Sequence, residues 1–100
     1  MGAIGRINMI TARLTSGLEK LTGGNEEILL EAASIRECIE KLEQNYPGVK
    51  DKFCNENGEL FDHIAVYING DNICEMQGIE TALKDGVEVD FMSGFAGGSW

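Results

Sequence analysis

Between residues 7 and 15 the chain alternates. Ile10, Ala12 and Leu14 fall on one side, and Met9, Thr11 and Arg13 on the other. A period of two predicts a β-strand with one buried face. Thr22-Gly-Gly-Asn25 is a turn signal. Glu26 to Glu31 predicts a second strand, joined to the first as a hairpin with a long loop. The period then changes to that of a helix. Ile35, Cys38, Ile39 and Leu42 recur at i, i+3, i+4 and i+7 and form one apolar stripe, while Arg36, Glu40, Lys41 and Glu43 are expected to face water. Ser34 followed by Glu37 has the spacing of a capping box, and Asn45-Tyr46-Pro47-Gly48 is expected to end the helix because a residue before proline is pushed out of the helical region.

The second half returns to shorter elements. Val49 to Phe53 suits a brief helical turn, and Asn55-Glu-Asn-Gly58 a loop. His63 to Asn69 alternates again, with Ile64, Val66 and Ile68 on one face, and predicts a third strand. Asn69-Gly70-Asp71-Asn72 reads as a tight turn with positive φ. Ile73 to Met76 reads as a short edge strand, Gly78 to Lys84 as containing a turn of helix, and Asp85-Gly86 as another turn. The last strand starts at Val87, with Val87, Val89 and Phe91 opposed to Glu88 and Asp90. The order is strand, strand, helix, strand, short strand, strand. One helix against one sheet face suffices to bury these apolar faces, so the class is α+β. Ile39, Leu42, Val66, Val87 and Val89 are expected in the core.

The length of 100 residues sets one domain. A hydrophobic fraction of 43% and a charged fraction of 25% are those of a globular protein. The net charge of −9, with only eight scattered Lys and Arg, argues against nucleic acid, which needs clustered cations. It favours a basic partner surface. Cys38, Cys54 and Cys74 contain no Cys-x-x-Cys, which argues against a disulfide framework or zinc site and fits a reducing cytoplasm; each is expected to be at least half-buried. The apolar runs are too short for a signal peptide or membrane span. His63, the single histidine, is placed in the third strand and is not expected to act as a base. No triad or metal cluster is visible.

Beyond Phe91 the chain loses structure-building residues and reads Met92-Ser-Gly-Phe-Ala-Gly-Gly-Ser-Trp100. Residues 1–92 are expected to form the domain, with 1–5 a loose leader, and 93–100 a flexible tail. Ser93 to Gly98 reaches roughly 20 Å when extended. Glycine has no Cβ, so a carboxylate carried by Gly97-Gly98 can enter a cleft too narrow for a bulkier chain.

Leu42-Glu-Gln-Asn-Tyr-Pro-Gly48, Val66-Tyr-Ile-Asn-Gly70, Leu83-Lys-Asp-Gly-Val-Glu-Val89 and Ala96-Gly-Gly98 together resemble the ThiS/MoaD family of ubiquitin-like sulfur carriers. The resemblance runs from about Ile7 to Gly98. In the stretch from Tyr46 to Asp62 the chain looks more like the carriers for cysteine or homocysteine synthesis and the molybdopterin synthase small subunit. It implies a β-grasp fold, a mixed sheet of four to five strands with one main helix on one face, in which first and last strands lie side by side. Two departures stand out. Ser93-Gly94-Phe95 replaces the usual apolar or proline residues before the tail, and Ser99-Trp100 follow the second glycine.

The resemblance also implies a chemistry. Ser99-Trp100 would be removed at the Gly98–Ser99 junction by a JAMM-type metalloprotease. An E1-like adenylating enzyme would use ATP to activate the Gly98 carboxylate, and a sulfur nucleophile would convert it to a thiocarboxylate for a downstream sulfur-accepting synthase, the best-fitting product being a sulfur amino acid. Ala96 and Gly97 would thread the tail, and the body would dock through the sheet face opposite the helix, with Met9, Tyr67, Met92 and Phe95 as contacts. The carrier itself would bind no cofactor and catalyse nothing. The same Gly98 carboxylate serves equally in a ubiquitin-like protein modifier, or in a molybdopterin synthase small subunit. A β-grasp module with an inert tail is the remaining alternative.

Overall fold

The computed structural model describes residues 8–93. The strands are β1 (Met9–Leu14), β2 (Glu27–Glu31), β3 (Ile64–Ile68), β4 (Asp71–Asn72) and β5 (Glu88–Ser93). The helices are α1 (Ile35–Asn45) and the one-turn α2 (Val49–Phe53). Three 3-10 turns at Leu18–Thr22, Ile73–Glu75 and Gly78–Glu80 complete the described residues. The sheet order is β2-β1-β5-β3-β4. β1 runs antiparallel to β2 and parallel to β5, and β5 runs antiparallel to β3. This mixed sheet with one main helix is the β-grasp arrangement.

The alternation explains the layers. Ile10, Ala12 and Leu14 of β1, Val89 and Phe91 of β5 and Val66 of β3 are buried on the face that meets Ile35, Cys38, Ile39 and Leu42 of α1. Phe53 at the end of α2 stacks on Phe91, with centroids 4.9 Å apart and planes 13° from parallel. Dispersion between two wholly buried rings anchors α2 to the middle of the sheet. Val87 is half-buried at the margin of this core.

Local chemistry sets the ends of α1. Ser34 Oγ accepts from the Glu37 N–H at 3.1 Å, while the Glu37 carboxylate accepts from the Ala33 N–H at 2.6 Å. The reciprocal cap therefore reaches one residue further upstream than the capping box expects. Glu43 is half-buried: its carboxylate accepts from the N–H groups of Gly48 and Lys50 at 3.1 and 2.9 Å and so caps α2. Lys50 in turn pairs with Glu40 at 2.9 Å.

Several expectations are corrected. The short edge strand is Asp71–Asn72, not Ile73–Met76. Asn72 Oδ1 accepts from the Cys74 N–H at 2.8 Å, closing Ile73–Glu75 into a 3-10 turn before a strand can extend. Thr22-Gly-Gly-Asn25 is preceded by a 3-10 turn that the pattern did not announce, held by the buried Thr22, whose hydroxyl lies 2.7 Å from the Asn25 carbonyl. His63 is exposed in the turn before β3, stacked on Phe61 at 5.4 Å, rather than inside the strand. Cys74 is exposed, whereas Cys38 and Cys54 are buried.

Candidate functional site

The sheet face away from α1 carries the outward-pointing residues of each strand. The register places Arg13 beside both Glu27 of β2 and Asp90 of β5, and Tyr67 of β3 on the other side of Asp90. Arg13 lies 3.3 Å from Asp90 and 3.8 Å from both Glu27 and Glu88. One cation thus serves three carboxylates, and the middle of the face stays acidic. These groups are partly exposed, so the pairs add little stability. Their weight is in the field they present to an approaching surface.

Next to this acidic band is an apolar recess. Ser16, Ala65, Tyr67, Met92 and Ser93 line about 290 Å³ of space. Ala65 and Met92 are register partners on β3 and β5. Ser16 and Gly17, with φ of 61° and 93°, turn the chain sharply after β1. Ser93 Oγ donates to the Ser16 carbonyl at 3.2 Å and fixes the corner. Ser93, read from sequence as the first tail residue, is the last residue of β5 and pairs with Ile64. The recess therefore sits where the described chain gives way to residues 94–100.

Of the expected docking residues, Tyr67 and Met92 come together here. Met9 does not join them. In the parallel β1–β5 register Met9 is six residues removed from the level of Met92, about 20 Å along the strands, with the acidic band between. Phe95, Ala96, Gly97, Gly98 and Ser99 lie outside the described residues. The sequence reading missed Leu29, which is 70% exposed on β2, and Arg13 as the hub of the band. The alternation of Glu27, Leu29 and Glu31 already carried the signal for Leu29.

No group of three or more His, Cys, Asp or Glu is placed to hold a metal among the described residues, and no helix there is long and apolar enough to cross a membrane. Burial pushes the Cys54 thiol up, only partly opposed by Lys50 and Arg36, so it is held as a neutral thiol.

The ThiS family pattern matches residues 13–98. The chain belongs to the ThiS family. A putative sulfur carrier protein of Archaeoglobus fulgidus is 30% identical over 89 residues, spanning 89% of this chain and 98% of that one. Among solved structures, the Amycolatopsis orientalis BexX/CysO complex contains a chain that superposes with a TM-score of 0.81 at 28% identity, covering 89% of this chain and 99% of that one. The small archaeal modifier protein 1 of Methanosarcina acetivorans gives 0.81 at 27% identity, covering 94% of this chain and all of that one. This ThiS-family chain thus has sulfur carriers and ubiquitin-like modifiers among its relatives, and its role is of one of those two kinds. Sulfur carrier proteins are small carriers rather than enzymes.

Proposed function

We propose that this protein is a sulfur carrier whose reactive group is the Gly98 carboxylate, exposed once Ser99-Trp100 have been cut away. The observation that carries this reading is that the ThiS-family match ends at residue 98, the second glycine, in a chain whose relatives include a sulfur carrier along nearly its whole length. A carboxylate is a poor acceptor of sulfur. On an E1-like partner its oxygen attacks the α-phosphate of ATP, pyrophosphate leaves, and an acyl-adenylate results. Sulfide then adds to that carbonyl and AMP departs, leaving a thiocarboxylate with a nucleophilic sulfur. A downstream synthase consumes the sulfur, most fittingly for a sulfur amino acid, and a JAMM-type metalloprotease performs the initial cut.

The carrier supplies presentation. Ala96 and Gly97 offer no side chain larger than a methyl group, so the tail threads a narrow channel while the body rests outside. The recess at Tyr67 and Met92 and the acidic band around Arg13 provide the resting surface, apolar contact beside a steering field. That CysO in the Amycolatopsis orientalis structure is in complex with another protein, BexX, supports a partner-dependent role.

The likeness to an archaeal modifier protein favours a second reading, in which the same adenylate is captured by a lysine of a target protein. Mass spectrometry of the chain purified from cells with its native neighbours separates the two. A chain ending at Gly98 that exchanges one oxygen for sulfur is the expected result. Conjugates on lysines mean a modifier, and an intact Trp100 terminus in the presence of protease and activating enzyme defeats both. In a chain ending at residue 98, Gly98→Leu is expected to abolish ATP–pyrophosphate exchange on the activating enzyme with an unchanged circular dichroism spectrum. Undiminished exchange would contradict the threading argument.

A further inference from the structure

Among the described residues β2 is an edge strand with one side unpaired by any other strand. At its two ends the Ala32 N–H donates to the Asn8 carbonyl at 3.1 Å and the Leu14 N–H to the Glu26 carbonyl at 2.9 Å. Between them Leu30 faces Ile10 and Ile28 faces Ala12. Hydrogen-bonded pairs alternate in an antiparallel ladder, so β1 takes the backbone groups of the even-numbered residues of β2. Those of Glu27, Leu29 and Glu31 point outward. Lys41 Nζ takes one of them, the Glu31 carbonyl, at 3.2 Å. Among the described residues no strand pairs with this edge. Leu29 is also the most exposed large apolar side chain there, at 70%. Edge strands are usually blunted by charges, prolines or bulges. β2 has no lysine, proline or bulge, and its only charges are the end glutamates Glu27 and Glu31, which repel an acidic strand and admit a basic one.

We infer that the β2 edge is a strand-addition site for an extended basic segment of a partner protein, with an apolar residue facing Leu29 and Lys or Arg opposite Glu27 and Glu31. The charges select the occupant. A second copy pairing antiparallel about Leu29 would set each Glu27 against the other's Glu31, and like charges directly opposite one another destabilise a sheet. A basic-x-apolar-x-basic segment turns both repulsions into attractions. Main-chain hydrogen bonds to Leu29 supply the affinity and the flanking glutamates the selection. The inference is independent of what happens at Gly98.

The test is an NMR titration of the full-length chain, isotopically labelled, with the capped peptide Thr-Lys-Thr-Val-Thr-Lys-Thr and its charge-reversed partner Thr-Glu-Thr-Val-Thr-Glu-Thr. The lysine peptide is expected to produce saturable shifts centred on the amides of Glu27, Leu29 and Glu31, weakening with salt. The glutamate peptide is expected to produce none. Leu29→Pro removes the outward N–H and spares the β1–β2 ladder, and should weaken binding by about tenfold or more. Leu29→Lys keeps the donor but places a cation in the site, and should weaken it too. The idea fails if the lysine peptide gives no saturable shift, if both peptides bind alike, if neither variant lowers the affinity, or if the shifts gather at Tyr67 and Met92. It also fails if the wild-type chain sediments as a dimer that Leu29→Pro dissociates, since a second copy would then be the occupant.

Discussion

Cys38 lies in the apolar seam of α1 with no exposed surface, and burial pushes its thiol up to about 12 from an ordinary 9.0. Deprotonating it inside the core is costly, so the folded chain keeps a proton that the unfolded chain loses. Below pH 9 the group costs nothing; between there and its folded value, stability falls as pH rises. Urea unfolding at stepped alkaline pH should show wild type losing up to about 1.4 kcal/mol per pH unit more than Cys38→Ala across that window. Equal slopes would mean that the thiol is already accessible. At this scale the alternation made orientation legible. It put Ile10 and Val66 inward, and Tyr67 and Met92 outward. It did not show how outward residues are grouped, because grouping depends on register. Met9 shares a face with Met92 yet stands about 20 Å from it. Arg13 gathers carboxylates from strands far apart in the chain.

Elements were legible where a local signal sufficed. Ile35, Cys38, Ile39 and Leu42 define the stripe of α1, and Ser34 marks its start in both sequence and structure. Ser34→Ala removes the acceptor for the Glu37 N–H while leaving the Glu37 carboxylate on Ala33. It should lower unfolding free energy by about 1 kcal/mol in urea, with an unchanged denaturant slope. No change would mean that solvent replaces the cap without loss. The region after β3 was less legible because side chains there compete with the backbone. Ile73 looked like a strand residue and is indeed buried, but the Asn72 carboxamide draws Cys74 into a turn. The buried Thr22 similarly serves a 3-10 turn that apolar periodicity cannot register.

At the scale of the molecule, periodicity gave the four longer strands and the main helix, but neither the short β4 nor the sheet order. That β1 and β5 lie side by side followed from the family resemblance, since two strands so distant in sequence leave no local trace of pairing; the structure adds that they run parallel. The candidate docking surface also exists only at this scale, assembled from Ser16, the β3–β5 pair and the acidic band. Met92→Lys alters that surface without touching the buried layer. Under the proposed function it should raise the Kd for the activating enzyme about tenfold and leave the melting temperature within a few degrees, as surface substitutions usually do. Titration calorimetry with the chain ending at residue 98 measures the first. An unchanged Kd would move the docking surface elsewhere.

The central place of β5 bears on how the protein is made. β1 leaves the ribosome first and β5 last, yet they are neighbours in the finished sheet. Until Ser93 has been synthesised, a slot stays open between β1 and β3, and the facing edges of both lack a hydrogen-bonding partner. A polypeptide stalled before that point has neither a closed body nor the glycines that follow. Under the proposed function, a chain that carries Gly98 has already made the last strand of the sheet, so unfinished chains stay out of the pool that is processed and activated.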